Sequence, residues 1–252
     1  MITLYGMTGP NVLKIVLMLE EIEAAYEVWH VAVMRGEGRH PGFLAISPFG
    51  KVPVIVDDRD GREQTLFESG AILMYLAETY APSLLPNGGP ERWSTLAWLF
   101  GQVAFAGPML GQLNHFHLLP SEAGTYAAGR YKDQAAKVYR DFDRRLSQSP
   151  WLGGERYSIA DIAMYPWAAY LSRHEFREED FPHLTAWRAR IDARPAWRRA
   201  QEAIARLADD DTAAQVHVTN EDFDRFFNRS TVGPQVDFEG YLARGSNIRP
   251  PV

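Results

Sequence analysis

The chain has 252 residues, 46% of them hydrophobic, a formal net charge of −6 and no cysteine. That length supports two modest domains, and the acidic balance gives no general attraction for nucleic acid. Without cysteine there can be no disulfide and no protein thiolate, so any thiol chemistry must take its sulfur from a ligand.

Residues 2–5 read as a short strand, and after a turn containing Gly9-Pro10 the spacing of Val12, Ile15, Val16 and Leu19 predicts an amphipathic helix over 11–22. Residues 26–33 are a second strand, and strand, helix, strand in succession favours a right-handed parallel crossover. Residues 52–57 and 65–67, joined through Asp60-Gly61, predict a hairpin. Pro53 sits inside the apolar run Val52-Pro53-Val54-Ile55-Val56, where it removes a ladder donor. A cis bond after Val52 accounts for it and would turn the Val52 N–H and C=O toward an extended ligand. Glu68 and Ser69 then open a helix over 69–80, whose unpaired N–H groups and positive dipole end suit a carboxylate.

Residues 81–90, with three prolines and two glycines, read as a connector. Helices are predicted beyond it over 91–112, 125–146, 158–171, 184–193 and 196–207, with Ser158 and Asp161 forming an N-cap signal whose role is structural. The expected organisation is an α/β domain over 1–80, a linker over 81–90, an all-helical domain over 91–207 and a C-terminal extension over 208–252. The extension carries Phe223, Phe226, Phe227, Phe238 and Tyr241, too aromatic for a solvated tail, so it should pack on the core, over an acceptor pocket or on a partner subunit. No apolar run approaches the ~20 residues that cross a bilayer, and Met1 begins on a strand-like segment. A cytoplasmic protein with neither membrane nor nucleic acid as partner is expected. His115 and His117, two residues apart and without a carboxylate cluster, do not suggest a metal site.

The run Ser47-Pro48-Phe49-Gly50-Lys51-Val52-Pro53, followed fifteen residues on by Glu68-Ser69-Gly70-Ala71-Ile72, resembles the glutathione transferases, and the likeness extends from residue 1 to about 207. Thr8-Gly9-Pro10-Asn11, the stretch from Gly107 to Gln112 with Asn114-His115-Phe116, and the stretch from Trp151 to Glu155 with Tyr157 to Asp161 are similar to the bacterial Nu class and its fungal nitrogen-regulator relatives. The resemblance implies a thioredoxin-like N-terminal domain, an all-helical C-terminal domain and a homodimer. It also implies glutathione or its disulfide as cosubstrate, without a metal. The activity it implies is disulfide-bond oxidoreduction; conjugation or ether cleavage of an apolar electrophile, or glutathione binding without catalysis, are the alternatives.

Carried onto this sequence, the resemblance gives Thr8 and Asn11 the task of stabilising the thiolate. Val52, beside Pro53, would bind the cysteinyl backbone, Glu68 the ammonium, Ser69 the γ-glutamyl carboxylate and Lys51 the glycyl carboxylate. Arg130, matched together with Tyr126 and Tyr131, is similar to an arginine near a second glutathione. Phe100, Phe105, Met109 and Phe116 are acceptor-pocket candidates and equally ordinary core residues. The chain departs from the pattern at Gly9, where relatives carry threonine, and at Gly38, where many carry glutamine, leaving Arg39 or His40 as stand-ins. On the residues alone, Thr8 also reads as a turn cap and Asn11 as a helix N-cap.

Overall fold

A computed structural model describes residues 1–59, 61–118, 125–216 and 218–228. Asp60, Phe238 and Tyr241 and the side chains of His117 and Phe223 lie outside the described set. The described residues fall into two compact units, Met1–Ile72 together with 199–228, and Leu73–Arg198.

In the first unit β1 (Ile2–Gly6) alternates buried and half-buried side chains, as a strand with one face on the core must. It leads into α1 (Pro10–Glu21), with proline in the first turn, where its missing N–H costs nothing. Every residue of α1 from Val12 to Leu19 is buried, including Lys14, so this helix is core rather than surface. After β2 (Tyr26–His30) come two 3-10 turns and a short α2 (Pro41–Leu44), which the sequence reading left unassigned. Then β3 (Val54–Arg59) and β4 (Arg62–Phe67) form the expected hairpin, and α3 (Ser69–Tyr80) follows.

The four strands lie in the order β2-β1-β3-β4, β1 parallel to β2 and antiparallel to β3. Tyr5 is opposite Val54, and Val54 is opposite Phe67. One register row therefore brings three segments to the same end of the sheet: the turn after β1, the chain entering β3 and the start of α3. Each carries residues singled out in the sequence.

In the second unit, α4 (Gly89–Gly101) passes through one π-helical turn (Gln102–Ala106) into α5 (Gly107–Leu118). The stretch Gly89–Phe116 is long and apolar enough to cross a membrane by length and composition, which corrects the expectation that no segment is. Polar residues such as Thr95 and Gln102 interrupt the run in sequence, yet they are buried beside Leu96, Leu99, Leu110 and Leu113. Both α4 and α5 pack on neighbouring helices, α7 (Ile159–Ala168) and α6 (Thr125–Leu146) respectively. Asp161 in α7 is fully buried and accepts from the backbone N–H of Leu152 and Ser158, the Ser158 hydroxyl and the Trp187 indole. Four donors on one carboxylate tie the loop before α7 to α8 (Pro182–Asp192), so its role is structural, as expected. Asn114 is likewise tied inward, accepting at 2.9 Å from His174, which also meets the Tyr139 hydroxyl at 2.6 Å.

Finally α9 (Pro195–Gln215) runs eight residues beyond the predicted end at 207, and α10 (Asn220–Phe226) follows it. From Arg199 onward this chain belongs with the first unit. Arg199 donates to the Glu20 carboxylate at 2.8 Å and to the Glu20 carbonyl at 2.6 Å, while Ile204, Leu207 and Ala208 are buried. The extension thus packs on the α/β domain as far as it is described, and α10 lies against the 3-10 turn Val33–Arg35.

Candidate active site

The Val52–Pro53 peptide bond is cis, the arrangement offered to explain Pro53, and the ladder of β3 begins one residue later at Val54. The loop before it is held by Ser47. Its buried hydroxyl donates to the Lys51 carbonyl at 2.7 Å and accepts the Lys51 N–H at 3.1 Å. Gly50 takes a positive φ of 61° there, and its carbonyl lies 2.5 Å from where a Cβ on Gly38 would stand. The glycine at 38 is thus demanded by two backbones in close approach. Each proposed stand-in already has a partner within the chain. Arg39 donates at 2.6 Å both to the Arg225 carbonyl and to Asn228, and His40 caps α2 by accepting the Gly42 N–H. Lys51 is exposed, with its ammonium 5.9 Å from the centre of the Phe226 ring.

At the second segment, Glu68 adopts φ +71°, a region that residues other than glycine rarely enter and that clusters at ligand clamps. Its carbonyl accepts the Ile72 N–H at 2.9 Å, making it the residue that begins the helical bonding of α3, with Ser69 the first residue inside. Ser69 is 6% exposed, and its hydroxyl accepts from the Lys14 ammonium at 3.2 Å. Lys14 is 1% exposed. Burial pulls its pKa down to about 7, against the opposing pull of Glu68. A cation thus stands directly beneath the helix N-terminus assigned to a carboxylate. Lys14 was missed, although a lone charge in the run from Val12 to Leu19 is the signature of a buried cation.

The third segment separates the two side chains assigned to the thiol. Asn11 is exposed in the first turn of α1, one position past Pro10, and Gly9 rather than Asn11 is the N-cap. Thr8 is 3% exposed. Its N–H donates to Asp211 of α9 at 2.8 Å, and its hydroxyl donates to the same carboxylate oxygen. A hydroxyl has one proton. That of Thr8 is directed to Asp211, away from the role of thiol donor that the resemblance gave it. The other Asp211 oxygen meets His30 Nε2 at 2.7 Å. That hydrogen bond raises the imidazole pKa, outweighing the opposite effect of its partial burial. Asp211 left no signal in the sequence, because Asp209-Asp210-Asp211 lies beyond the helix predicted to end at 207 and reads as a solvated run of like charges.

A group whose folded pKa is raised stabilises the fold fully below its unfolded pKa and loses that contribution as pH rises through the folded value. His30 should therefore add stability that fades as pH climbs above about 6.5. Thermal unfolding of the wild type and of His30→Asn at several pH values checks this. The gap between the two midpoints should narrow with rising pH, and a constant gap would contradict the ion pair.

Of the remaining candidates, Arg130 and Tyr126 are exposed on α6, and Tyr131 stacks on Phe116 at 5.5 Å. Phe100 is exposed, and Phe105 has the Lys137 ammonium 5.8 Å from its ring. Among the described residues no cluster of three or more His, Asp or Glu could hold a metal ion. A cavity of about 840 Å³ in the first unit, lined by Tyr5, Trp29, Arg35, Arg39 and Phe43 among others, includes none of Asn11, Val52, Glu68 or Ser69.

Comparison with known proteins gives the same architecture a lineage. Residues 1–78 match the glutathione S-transferase N-terminal domain and residues 111–195 the C-terminal domain. The disulfide-bond oxidoreductase YfcG of Escherichia coli is 45% identical over 203 residues, 79% of this chain and 94% of that one. A glutathione transferase family member from Pseudomonas fluorescens, solved with two glutathione bound, is 36% identical with a TM-score of 0.73, covering 79% of this chain and 91% of that one. A glutathione transferase from Pseudomonas putida, solved with one glutathione disulfide per subunit, is 35% identical, also with a TM-score of 0.73, over 79% and 90% of the two chains. On the fold, the cis-proline loop and these matches together, the chain belongs to the glutathione S-transferase family.

Proposed function

We propose that this protein is a glutathione-dependent disulfide-bond oxidoreductase, cytoplasmic and dimeric, acting on a small-molecule disulfide. One observation carries the reading. A single end of the sheet gathers the exposed Asn11 at the start of α1, Val52 beside the cis Pro53, and Glu68 with Ser69 at the start of α3, in a chain that has no sulfur nucleophile of its own. Such a site has a group for each part of a tripeptide thiol. Ser69 and the amides of α3 receive the γ-glutamyl carboxylate, Glu68 the ammonium, and Val52 the cysteinyl backbone as an added strand. By the resemblance, Lys51 would meet the glycyl carboxylate and Arg130 a second glutathione. The reaction named for the E. coli relative and the two glutathione molecules held by the P. fluorescens relative both support a two-thiol cycle.

In that cycle the first turn of α1 and Asn11 favour the thiolate of bound glutathione, because hydrogen bonds and the helix dipole both stabilise negative charge. The thiolate attacks one sulfur of the disulfide and expels the other half as a thiolate, which takes a proton. A second glutathione thiolate then attacks the mixed disulfide, releasing the remaining half as a thiol and leaving glutathione disulfide. Two glutathione thiols are oxidised for each disulfide reduced.

The test is the stoichiometric formation of glutathione disulfide from glutathione and a dialkyl disulfide. Turnover in that assay is expected. Its absence, with normal conjugation of an electrophile, would move the protein to the conjugating branch of the family, and a monomeric mass by light scattering would remove the dimer.

A further inference from the structure

The turn from β1 to α1 is built around two glycines. Gly6 and Gly9 bracket Met7 and Thr8, and a Cβ placed on Gly9 would meet nothing within 4 Å. Fixing such a backbone costs conformational entropy at every residue. Something outside the turn has to hold it, since Asn11 and the first N–H groups of α1 serve a sulfur only if they stay aimed at it.

We propose that Asp211 is a positioning residue for the thiol reaction: its carboxylate, projecting from α9, pins the turn that aims Asn11 and the start of α1 at the glutathione sulfur. This inference rests on the function proposed above. The geometry is specific. Both donors of Thr8, N–H and O–H, converge on one oxygen of Asp211, and His30 occupies the other. His30 closes β2 and is the register partner of Gly6, so the same carboxylate ties the turn after β1 to the end of the neighbouring strand. Asp211 itself is 4% exposed. A lone carboxylate near a thiol would oppose its ionisation, and the imidazole of His30, held above its ordinary pKa by that carboxylate, offsets the charge. Where the resemblance led to the expectation of a threonine, this chain has Gly9 and a different arrangement. Thr8, one residue earlier, faces inward and anchors the backbone instead of facing the ligand.

Loss of one bond at Asp211 should not unfold the protein, because α9 is also held at Arg199 by Glu20 and by its buried Ile204, Leu207 and Ala208. Asp211→Asn is therefore the first variant. With glutathione bound, the pH midpoint of the thiolate absorbance should rise by about one pH unit. The value of kcat near pH 7 should fall about tenfold while KM for glutathione stays within about threefold, since the peptide-holding residues are untouched. Thr8→Ser, which keeps both donors, should behave as the wild type, and Thr8→Val, which keeps only the N–H, should fall between.

A lower melting temperature with an unmoved thiolate midpoint and kcat would reduce Asp211 to a purely structural anchor and overturn the proposal. Should Asp211→Asn fail to fold, Thr8→Val decides alone, and a wild-type midpoint in it overturns the proposal equally. Wild-type protein that binds no glutathione sinks the proposed function and this inference together. Wild-type protein that ionises glutathione normally, alongside variants that do the same, sinks only the inference.

Discussion

Asn11→Ala should lose about a hundredfold in kcat for disulfide reduction, with KM for glutathione within about threefold of wild type. The asymmetry follows from what surrounds Asn11. Thr8, the only other hydroxyl or amide side chain in the same turn, donates its proton to Asp211. Asn11 is left as the exposed polar side chain at the positive end of α1. An amide N–H aimed at sulfur gains strength as negative charge develops and does little for the neutral thiol, so its loss falls on the reaction rather than on binding. The peptide portion is held by Val52, Glu68 and Ser69, on segments that the substitution does not touch. Bound glutathione in Asn11→Ala should titrate closer to its value in free solution, read from thiolate absorbance against pH. A raised KM with unchanged kcat would make Asn11 a binding residue, and an unchanged enzyme would leave the backbone N–H groups of α1 as the whole source of thiolate stabilisation.

Much of this site was legible from local sequence because its main devices are local. A proline inside an apolar strand has few explanations, and the cis bond at Val52–Pro53 is the one found. The Glu68-Ser69 start of α3 falls where the sequence put it, since a helix N-terminus is set by residues adjacent in the chain. The strand alternation of β1 and the Ser158–Asp161 cap were equally readable. What the sequence concealed are contacts between residues far apart in the chain. Thr8 and Asp211 are 203 positions apart, and no propensity or spacing links them. The same distance hid the role of α9: residues 196–207 carry an ordinary amphipathic pattern, and only the fold shows that from Arg199 the helix packs on the α/β unit. Gly38 looked like the loss of a ligand contact until its backbone was seen against Gly50. Lys14 is the intermediate case. Its neighbours in sequence are all apolar, which signals burial, but its partner Ser69 lies 55 positions away and the signal had no ligand attached.

Lys14 yields the second large prediction, in which stability and affinity move in opposite directions. Burial depresses its pKa to about 7, so in the folded chain its charge is costly at and below neutrality, and that cost is relieved as pH rises from about 7 toward the unfolded value near 10.4. Replacing a buried charge by an apolar side chain of similar length often stabilises a fold by about 1–4 kcal/mol. Lys14→Met should accordingly raise the ligand-free stability by about 2 kcal/mol at pH 6, and the gain should shrink toward pH 10. Glutathione affinity should fall about tenfold or more, because a hydrogen bond to a charged group contributes about 1.5–3 kcal/mol. A serine hydroxyl that accepts from an ammonium still has its own proton to give to an incoming carboxylate, and the ammonium behind it supplies the countercharge. Binding should also draw a proton onto wild-type Lys14 near pH 7 to 8, since a carboxylate arriving at Ser69 raises the lysine pKa again. Calorimetric titration of glutathione in two buffers of different ionisation enthalpy measures that uptake directly, and Lys14→Met should abolish it. Unaltered affinity in a more stable Lys14→Met would mean that the ammonium is a tolerated burden of the core with no part in holding the ligand. Lower stability together with lower affinity would mean that it is an ordinary structural contact of α1 with α3.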